Sequence, residues 1–268
     1  MANPADESSL AARGPSAAGP DHWSALSRFT SARIALGRTG GSWRTQTMLD
    51  FRLAHARARD AVCKSFDADS VETQLRRAGC ETVRLATAAE TQAVFLKRPD
   101  LGRTLSEGAR DYLEQHVAAW QGRDLAVIVS DGLSAQAAEK QAAPTLASLL
   151  PTLARAGWTI CPIFIIPFAR VKLQDELGAL LQVRHTLALL GERPGLGSPD
   201  SLGAYLTYAP GAEKTDADRN CVSNIRPLGL APDEAGLKIA QLLVQSAAER
   251  ISGIGLKKEV TSLPKRFE

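Results

Sequence analysis

The sequence predicts an α/β protein with a doubly wound, largely parallel sheet, preceded by a helical amino-terminal region. Three short apolar runs carry this prediction, at residues 125–129, 160–166 and 186–190. These runs are continuous rather than alternating, which is typical of strands covered on both faces. Helical stretches separate them, and strand–helix–strand order at this spacing favours right-handed crossovers between parallel strands.

The amino-terminal segment differs from the rest of the chain in composition. Residues 1–20 consist mostly of Ala, Ser, Pro, Gly and Asp, with almost no large apolar side chains. Such a composition is typical of a flexible tail, because it buries too little surface to offset the entropy of ordering. From Asp21, a candidate helix cap, apolar residues recur at helical spacing as far as Leu36.

Two further helices are expected before the first strand. One should run from about residue 45 to residue 64, with its apolar side chains on one face. Asp69, with Glu72 three residues later, resembles a capping box for a short helix that ends near Gly79. Residues 21–90 are therefore predicted to form a helical region.

Residues 91–268 are predicted to form the α/β domain. Ser134 should begin a helix that Pro144 restarts, and residues 171–181 should form the next helix. A fourth strand is expected at residues 204–208, and residues 233–250 should form a long closing helix.

Composition excludes several classes of protein. The net charge of +3 is too small to require a nucleic-acid partner. The longest apolar stretch, residues 158–169, contains two prolines and is shorter than the roughly 20 apolar residues that cross a bilayer. The sequence shows no secretory signal, so a cytoplasmic protein is expected. Its four widely spaced cysteines form no C-x-x-C pair, and no metal site is predicted.

The charge is unevenly distributed. Residues 22–59 contain seven arginines and one acid, Asp50. RNA binding is a weak explanation, because the arginines are not interleaved with aromatic residues as stacking on bases requires. We interpret this stretch as an interface with another protein subunit.

Ligands of open α/β sheets lie over the carboxyl ends of the strands, which here are followed by residues 130–134, 167–171 and 191–197. The first of these segments could be a phosphate-binding turn, although Asp131 and Ser134 are more simply explained as helix caps. The third, with glycines spaced G-x-x-x-G-x-G, matches neither the dinucleotide nor the P-loop fingerprint. Its Glu192 carboxylate could accept hydrogen bonds from ligand amides or hydroxyls.

No catalytic constellation is apparent. A catalytic Cys221 would need a neighbouring base, and no histidine is near it in sequence. His185 stands directly before an apolar run and is more often structural there than catalytic. The residues alone therefore predict a ligand-binding α/β domain, with no catalytic residue of its own.

Six ordered motifs from about residue 27 onward resemble the small subunit family of ethanolamine ammonia-lyase. They are Arg38-Thr39-Gly40 with Arg44-Thr45-Gln46, Arg98-Pro99-Asp100-Leu101-Gly102-Arg103, Val129-Ser130-Asp131-Gly132-Leu133-Ser134, Gly191-Glu192-Arg193-Pro194-Gly195-Leu196-Gly197, Asp218-Arg219-Asn220-Cys221-Val222-Ser223-Asn224-Ile225, and Ser252-Gly253-Ile254. Six motifs in order are far more specific than any one of them.

The resemblance implies an adenosylcobalamin-dependent carbon–nitrogen lyase that converts ethanolamine to acetaldehyde and ammonia by a radical route. It implies a Rossmann-like cobalamin-binding domain whose cofactor contacts fall on Val171, Glu192 and Cys221. The substrate would lie in a separate large subunit, within a hetero-oligomer of several large–small pairs, and this chain would be inactive alone. Enzymes of this family are often packaged in bacterial microcompartments.

The sequence also bears on the lower axial ligand of the cofactor. Cobalamin proteins that supply their own imidazole typically use a D-x-H-x-x-G motif, and Asp-x-His occurs nowhere in this chain. We therefore expect base-on cobalamin, in which cobalt keeps its own dimethylbenzimidazole. A free-standing module that carries or senses cobalamin or a nucleotide is the alternative function.

Overall fold

The computed structural model describes residues 23–29, 32–34, 36, 38–39 and 41–256. The chain divides into two compact units, with the division between His55 and Ala56. The predicted tail over residues 1–20 lies outside the described residues, and the predicted boundary after residue 90 stays a prediction.

The first unit contains little regular structure before helix α1. A 3-10 turn spans Ser24–Arg28, and a small hairpin pairs β1 (Arg38–Thr39) with β2 (Ser42–Trp43). The helix predicted from Asp21 to Leu36 is wrong in the described part, because residues 32–34 and 36 are not helical. Its apolar side chains are not buried: Trp23 is 67% exposed and Phe29 is 73% exposed. The second predicted helix is confirmed as α1 (Thr45–Cys63).

The second unit continues with alternating helices and strands. Its regular elements are α2 (Ala68–Arg77), β3 (Thr82–Arg84), α3 (Gln92–Lys97), α4 (Glu107–Trp120), β4 (Leu125–Ser130), α5 (Ala135–Arg155), β5 (Ile160–Ile165), α6 (Leu173–Leu181), β6 (His185–Gly191), β7 (Leu202–Tyr208), β8 (Arg219–Ile225) and α7 (Pro232–Glu249). The α2 helix begins two residues earlier than the proposed capping box implied, because Asp67 is its cap and accepts a hydrogen bond from the Ser70 amide at 2.9 Å.

The six strands β3–β8 form one sheet in the order β3-β5-β4-β6-β7-β8. The pairs β3–β5, β5–β4 and β4–β6 are parallel, whereas β6–β7 and β7–β8 are antiparallel. The prediction of a largely parallel sheet is therefore wrong, since the sheet is mixed. The connections at 192–201 and 209–218 contain no α-helix. They are too short for a parallel crossover, which takes a dozen or more residues.

Helices cover both faces of this sheet. On one face, α2, α5 and α7 pack on a cluster that includes Val127, Val129 and Leu187. On the other face, α4 and α6 pack on a cluster that includes Ile128 and Ala188. Alternate residues of β4 thus enter opposite cores, as period-two side-chain geometry requires. This explains why the central strands read as continuous apolar runs.

Helix α5 runs without interruption through Pro144 and Pro151, so the expected restart at Pro144 is wrong. An interior proline costs a helix about 3 kcal/mol. Burial offsets this cost at the two prolines, because Leu146, Leu149 and Leu153 are all fully buried in α5, as are Ala137 and Ala142. Each fully buried leucine contributes roughly 2 kcal/mol.

Candidate ligand-binding site

The carboxyl ends of β5, β4 and β6 lie side by side, because the three strands are neighbours and run in the same direction. Backbone contacts join the segments that follow them. The Leu133 amide donates to the Gly191 carbonyl oxygen at 2.9 Å, and the Ala169 amide donates to Ser130 Oγ at 3.0 Å. The prediction that these three segments meet at one edge of the sheet is confirmed.

Asp131 links two of these segments from a buried position. Its Oδ1 atom accepts hydrogen bonds from the Phe168 amide at 2.7 Å and from Ser130 Oγ at 3.0 Å. Burial raises the pKa of the carboxyl from 3.8 to about 6, although both hydrogen bonds favour the ionised form. The bond to Phe168 fixes a residue with a φ of 63°, a conformation that side chains other than glycine adopt rarely.

Ser134 is the helix cap that the sequence predicts. Its side chain accepts a hydrogen bond from the Ala137 amide at 3.3 Å and donates to the Pro199 carbonyl oxygen at 2.8 Å. The cap of α5 therefore also holds the segment after β6. Asp131 bonds to Phe168 rather than capping this helix.

Two glycines allow the β4 and β6 segments to approach each other. A Cβ atom on Gly132, which has a φ of 52°, would lie 2.5 Å from the Gly191 carbonyl oxygen. A Cβ atom on Gly191 would lie 2.1 Å from the Ser134 carbonyl oxygen. Any side chain at Gly191 would push the segments apart.

Glu192 lies directly after β6 and contacts two further elements. Its Oε2 atom accepts hydrogen bonds from Ser201 Oγ at 2.6 Å and from the Asn224 amide at 3.3 Å. Ser201 precedes β7 and Asn224 lies near the end of β8, so one carboxylate joins three strands. Among the described residues, none donates a hydrogen bond to the other oxygen, Oε1.

A second contact ties the 191–197 segment to the end of β8. The buried Arg226 side chain donates to Asn224 Oδ1 at 2.7 Å and to the Gly197 carbonyl oxygen at 3.2 Å. The two motifs that are most conspicuous in the sequence, 191–197 and 218–225, therefore lie together at this edge.

Cys221 lies within strand β8, a strand that the sequence did not predict. Its register partner is Tyr205 of β7, and Tyr205 is in turn paired with Ala188 of β6. The position that a Gly203 Cβ would take is 3.0 Å from both Glu192 Oε1 and Tyr205 Oη. Glu192 and Tyr205 thus share one small space, beside Cys221.

The Cys221 thiol is neutral at physiological pH. Desolvation by the surrounding protein and then the Glu192 carboxylate raise its pKa to about 11, although the side chain is exposed to solvent. The same two influences, together with Cys221 itself, raise the pKa of Tyr205. A nucleophilic cysteine needs a lowered pKa, so this residue is suited to contact rather than to catalysis.

Val171 lies on the turn between β5 and α6 and is half-buried. It packs against the same core cluster as Tyr205. The structure therefore brings Glu192 and Cys221 together through Tyr205, and it places Val171 on the segment after β5 at the same edge. Sequence reasoning missed Tyr205, Ser201 and Asn224; the alternation that places Gly203 and Tyr205 on one face of β7 was the available signal.

The described part of the chain contains neither a metal-ligand cluster nor a membrane-spanning helix. No group of three or more His, Cys, Asp or Glu side chains there is arranged to hold a metal ion. None of its helices combines the length and the apolar character needed to span a membrane.

Fold and site together define an α/β protein whose sheet has a polar edge, formed by the carboxyl ends of three parallel strands and by residues at the ends of the antiparallel strands β7 and β8. The family described as "Ethanolamine ammonia-lyase light chain (EutC)" matches residues 20–257. The chain belongs to this family.

Curated relatives agree with this assignment, and all three below are named "Ethanolamine ammonia-lyase small subunit". The chain is 48% identical over 240 residues to that of Xanthomonas campestris pv. campestris, covering 89% of this chain and 88% of the relative. It is 46% identical over 248 residues to that of Azotobacter vinelandii, covering 92% and 91%. For Pseudomonas aeruginosa the identity is 44% over 246 residues, covering 91% and 90%.

Proposed function

We propose that this chain holds adenosylcobalamin against a catalytic large subunit, in an enzyme that converts ethanolamine to acetaldehyde and ammonia. The observation that carries the proposal is the meeting of Glu192, Tyr205 and Cys221 at the carboxyl edge of the sheet, in a chain of this family. Ligands of open α/β folds bind at such an edge.

The residues at this edge fit the chemical character of cobalamin. The corrin ring carries amide side chains, and Glu192 Oε1 is an acceptor for which no described residue supplies a donor. Cys221 offers an exposed neutral thiol, and Val171 offers a half-buried apolar side chain. A neutral thiol and an apolar side chain suit contact with the uncharged parts of the cofactor.

Adenosylcobalamin supplies radical chemistry when it is bound, through homolysis of its cobalt–carbon bond. The residues of this chain bind and orient. Glu192 is fixed by Ser201 and Asn224 with one oxygen left for a ligand, so its position costs no reorganisation on binding. No described residue of this chain is assigned a catalytic role.

The exposed amino-terminal unit supports docking on a large subunit. Large apolar side chains are exposed in it, among them Trp23 at 67%, Phe29 at 73% and Leu49 at 53%. Exposed apolar groups among arginines are typical of a protein interface, where arginine and aromatic residues are enriched. We infer that this unit contributes to a hetero-oligomer of several large–small pairs.

Reconstitution tests the functional proposal. The purified chain should be inactive on ethanolamine with adenosylcobalamin present, because no described residue cluster provides the chemistry. Adding the large subunit should produce acetaldehyde, which a coupled alcohol dehydrogenase assay measures. Turnover by this chain alone would contradict the proposal.

The lower axial ligand provides a second prediction. His185 is fully buried at the start of β6, at the opposite end of that strand from Glu192. His116 stacks with Tyr112 and Trp120 on α4. Together with the lack of an Asp-x-His motif in the sequence, these positions lead us to expect base-on cobalamin. In electron paramagnetic resonance of the cob(II)alamin holoenzyme, ¹⁵N labelling of the protein should leave the axial superhyperfine splitting unchanged, and a changed splitting would show a protein ligand.

A further inference from the structure

Three arginines lie on segments that meet near the proposed ligand edge. Arg103 ends the 3-10 turn Leu101–Arg103, Arg170 follows β5, and Arg193 follows β6. The Arg170 amide donates to the Gly102 carbonyl oxygen at 2.7 Å. A Cβ atom on Gly102 would lie 2.5 Å from the Phe168 carbonyl oxygen, so the turn packs tightly against the segment after β5.

The Arg170 side chain is held in place but is not fully hydrogen-bonded. Its guanidinium carbon lies 4.5 Å from the centroid of the Phe95 ring, a cation–π contact that fixes the plane of the group. Its Nε atom is buried and has no hydrogen-bond partner. An unsatisfied buried donor on a charged group costs stability, and an acceptor from outside the chain would remove that cost.

These arginines also lack compensating anions. Burial, followed by the like charges of Arg103 and Arg193, lowers the pKa of Arg170. Asp131 acts in the opposite direction, but it is bonded to the Phe168 amide and Ser130. Among the described residues, no carboxylate forms an ion pair with any of the three arginines, whereas the nearby Arg98 pairs with Asp100 at 2.6 Å.

We propose that Arg103, Arg170 and Arg193 form a binding site for a phosphate-class anion at this edge of the sheet. The planar guanidinium fork of arginine matches the oxygens of a phosphate group, and such an anion would give these three arginines, on adjoining segments, the ion-pair partner that the described residues do not supply. Such an anion has two sources, namely free inorganic phosphate and the phosphodiester of a bound cobalamin. The site itself rests on the arginine geometry and not on the cobalamin proposal.

Phosphate binding to the full chain tests the site without the cofactor. Inorganic phosphate is titrated with the chain and followed by ³¹P nuclear magnetic resonance. Arg193→Gln, an exposed position that does not endanger folding, and Arg170→Gln should each weaken binding about tenfold. Arg77→Gln, an exposed arginine on α2, removes the same charge and should leave the dissociation constant unchanged. Equal effects of Arg77→Gln and Arg193→Gln on the dissociation constant would overturn the proposal. The proposal would also be overturned if neither inorganic phosphate nor cobalamin showed saturable binding.

A comparison of phosphate compounds identifies the source of the anion. If the site serves the cofactor, Arg193→Gln in the complex with the large subunit should weaken binding of cobalamin about tenfold, but not of cobinamide, which lacks the phosphodiester. If the site serves free phosphate, the variant should weaken only inorganic phosphate binding. A complex that binds no cobalamin, while the full chain still binds phosphate, would refute the proposed function and leave this site intact.

Discussion

Two buried titratable side chains respond to pH in opposite senses. Burial raises the pKa of Asp131 from 3.8 to about 6. Burial and then the charge of Arg184 lower the pKa of His185 from 6.5 to about 4. Between pH 3.8 and about 6, the folded state binds more protons at Asp131 than the unfolded state does. The contribution of Asp131 to stability therefore falls as the pH rises from about 4 to about 6. For His185 the folded state binds fewer protons, so stability falls as the pH drops from 6.5 towards 4.

The Asp131 contribution is isolated by Asp131→Asn, because the comparison with wild type cancels the His185 contribution. The variant keeps an oxygen that accepts from the Phe168 amide and cannot ionise. Relative to wild type, its free energy of unfolding should rise by up to about 3 kcal/mol between pH 4 and pH 7. Urea unfolding at intervals of half a pH unit measures the difference.

The matched control for that series is Asp111→Asn, at an exposed position on α4. Its difference from wild type should not vary over the same pH range. A pH-independent difference for Asp131→Asn would mean that the buried carboxyl has an ordinary pKa.

At the scale of elements, the sequence predicted the helices and strands whose buried residues form a local hydrophobic pattern. The continuous apolar runs correspond to β4, β5 and β6, and helical periodicity identified α1 and α7. Strand β8 escaped, because its side chains at Cys221, Ser223 and Asn224 are exposed and only Arg219, Val222 and Ile225 are buried. Its pairing with β7 depends on tertiary contacts that no local pattern records.

The direction of β7 was missed for a similar reason, because no local pattern records it. The run at 186–190 reads alike whether its next neighbour is parallel or antiparallel, since a strand buried on both faces is apolar in either case. Connection length was the available signal, because the segment at 192–201 is too short to hold a crossover helix.

The close approach of the segments after β4 and β6 predicts that two glycines of the 191–197 motif differ in how well they tolerate substitution by alanine. Gly191→Ala places a Cβ atom 2.1 Å from a backbone oxygen, whereas a Cβ atom on Gly197 meets nothing within 4 Å. Gly191→Ala should therefore destabilise the chain by about 3 kcal/mol or prevent folding, and Gly197→Ala should change stability by less than about 0.5 kcal/mol. Chemical denaturation compares the two variants directly, and equal stabilities would refute the close approach.

At the scale of the whole molecule, the second unit contains the polar edge of the sheet, and the first unit contains exposed apolar side chains. The sequence located the edge through its three strand ends, and the resemblance to the family supplied Val171, Glu192 and Cys221. Neither the sequence nor the resemblance predicted that Glu192 and Cys221 lie close together. Their proximity runs through Tyr205 and depends on the register of β7 with β8. In the function we propose, this edge holds the cofactor, and the chain needs no catalytic residue of its own.

Absorbance titration of adenosylcobalamin into the complex of this chain with the large subunit tests the central claim most directly. Glu192→Ala removes the oxygen left for the ligand and should raise the dissociation constant about tenfold. Glu90→Ala, an exposed carboxylate outside the site, should leave it unchanged. A dissociation constant that is unaltered by Glu192→Ala, or equally tight binding by the large subunit alone, would contradict the claim that this chain holds the cofactor.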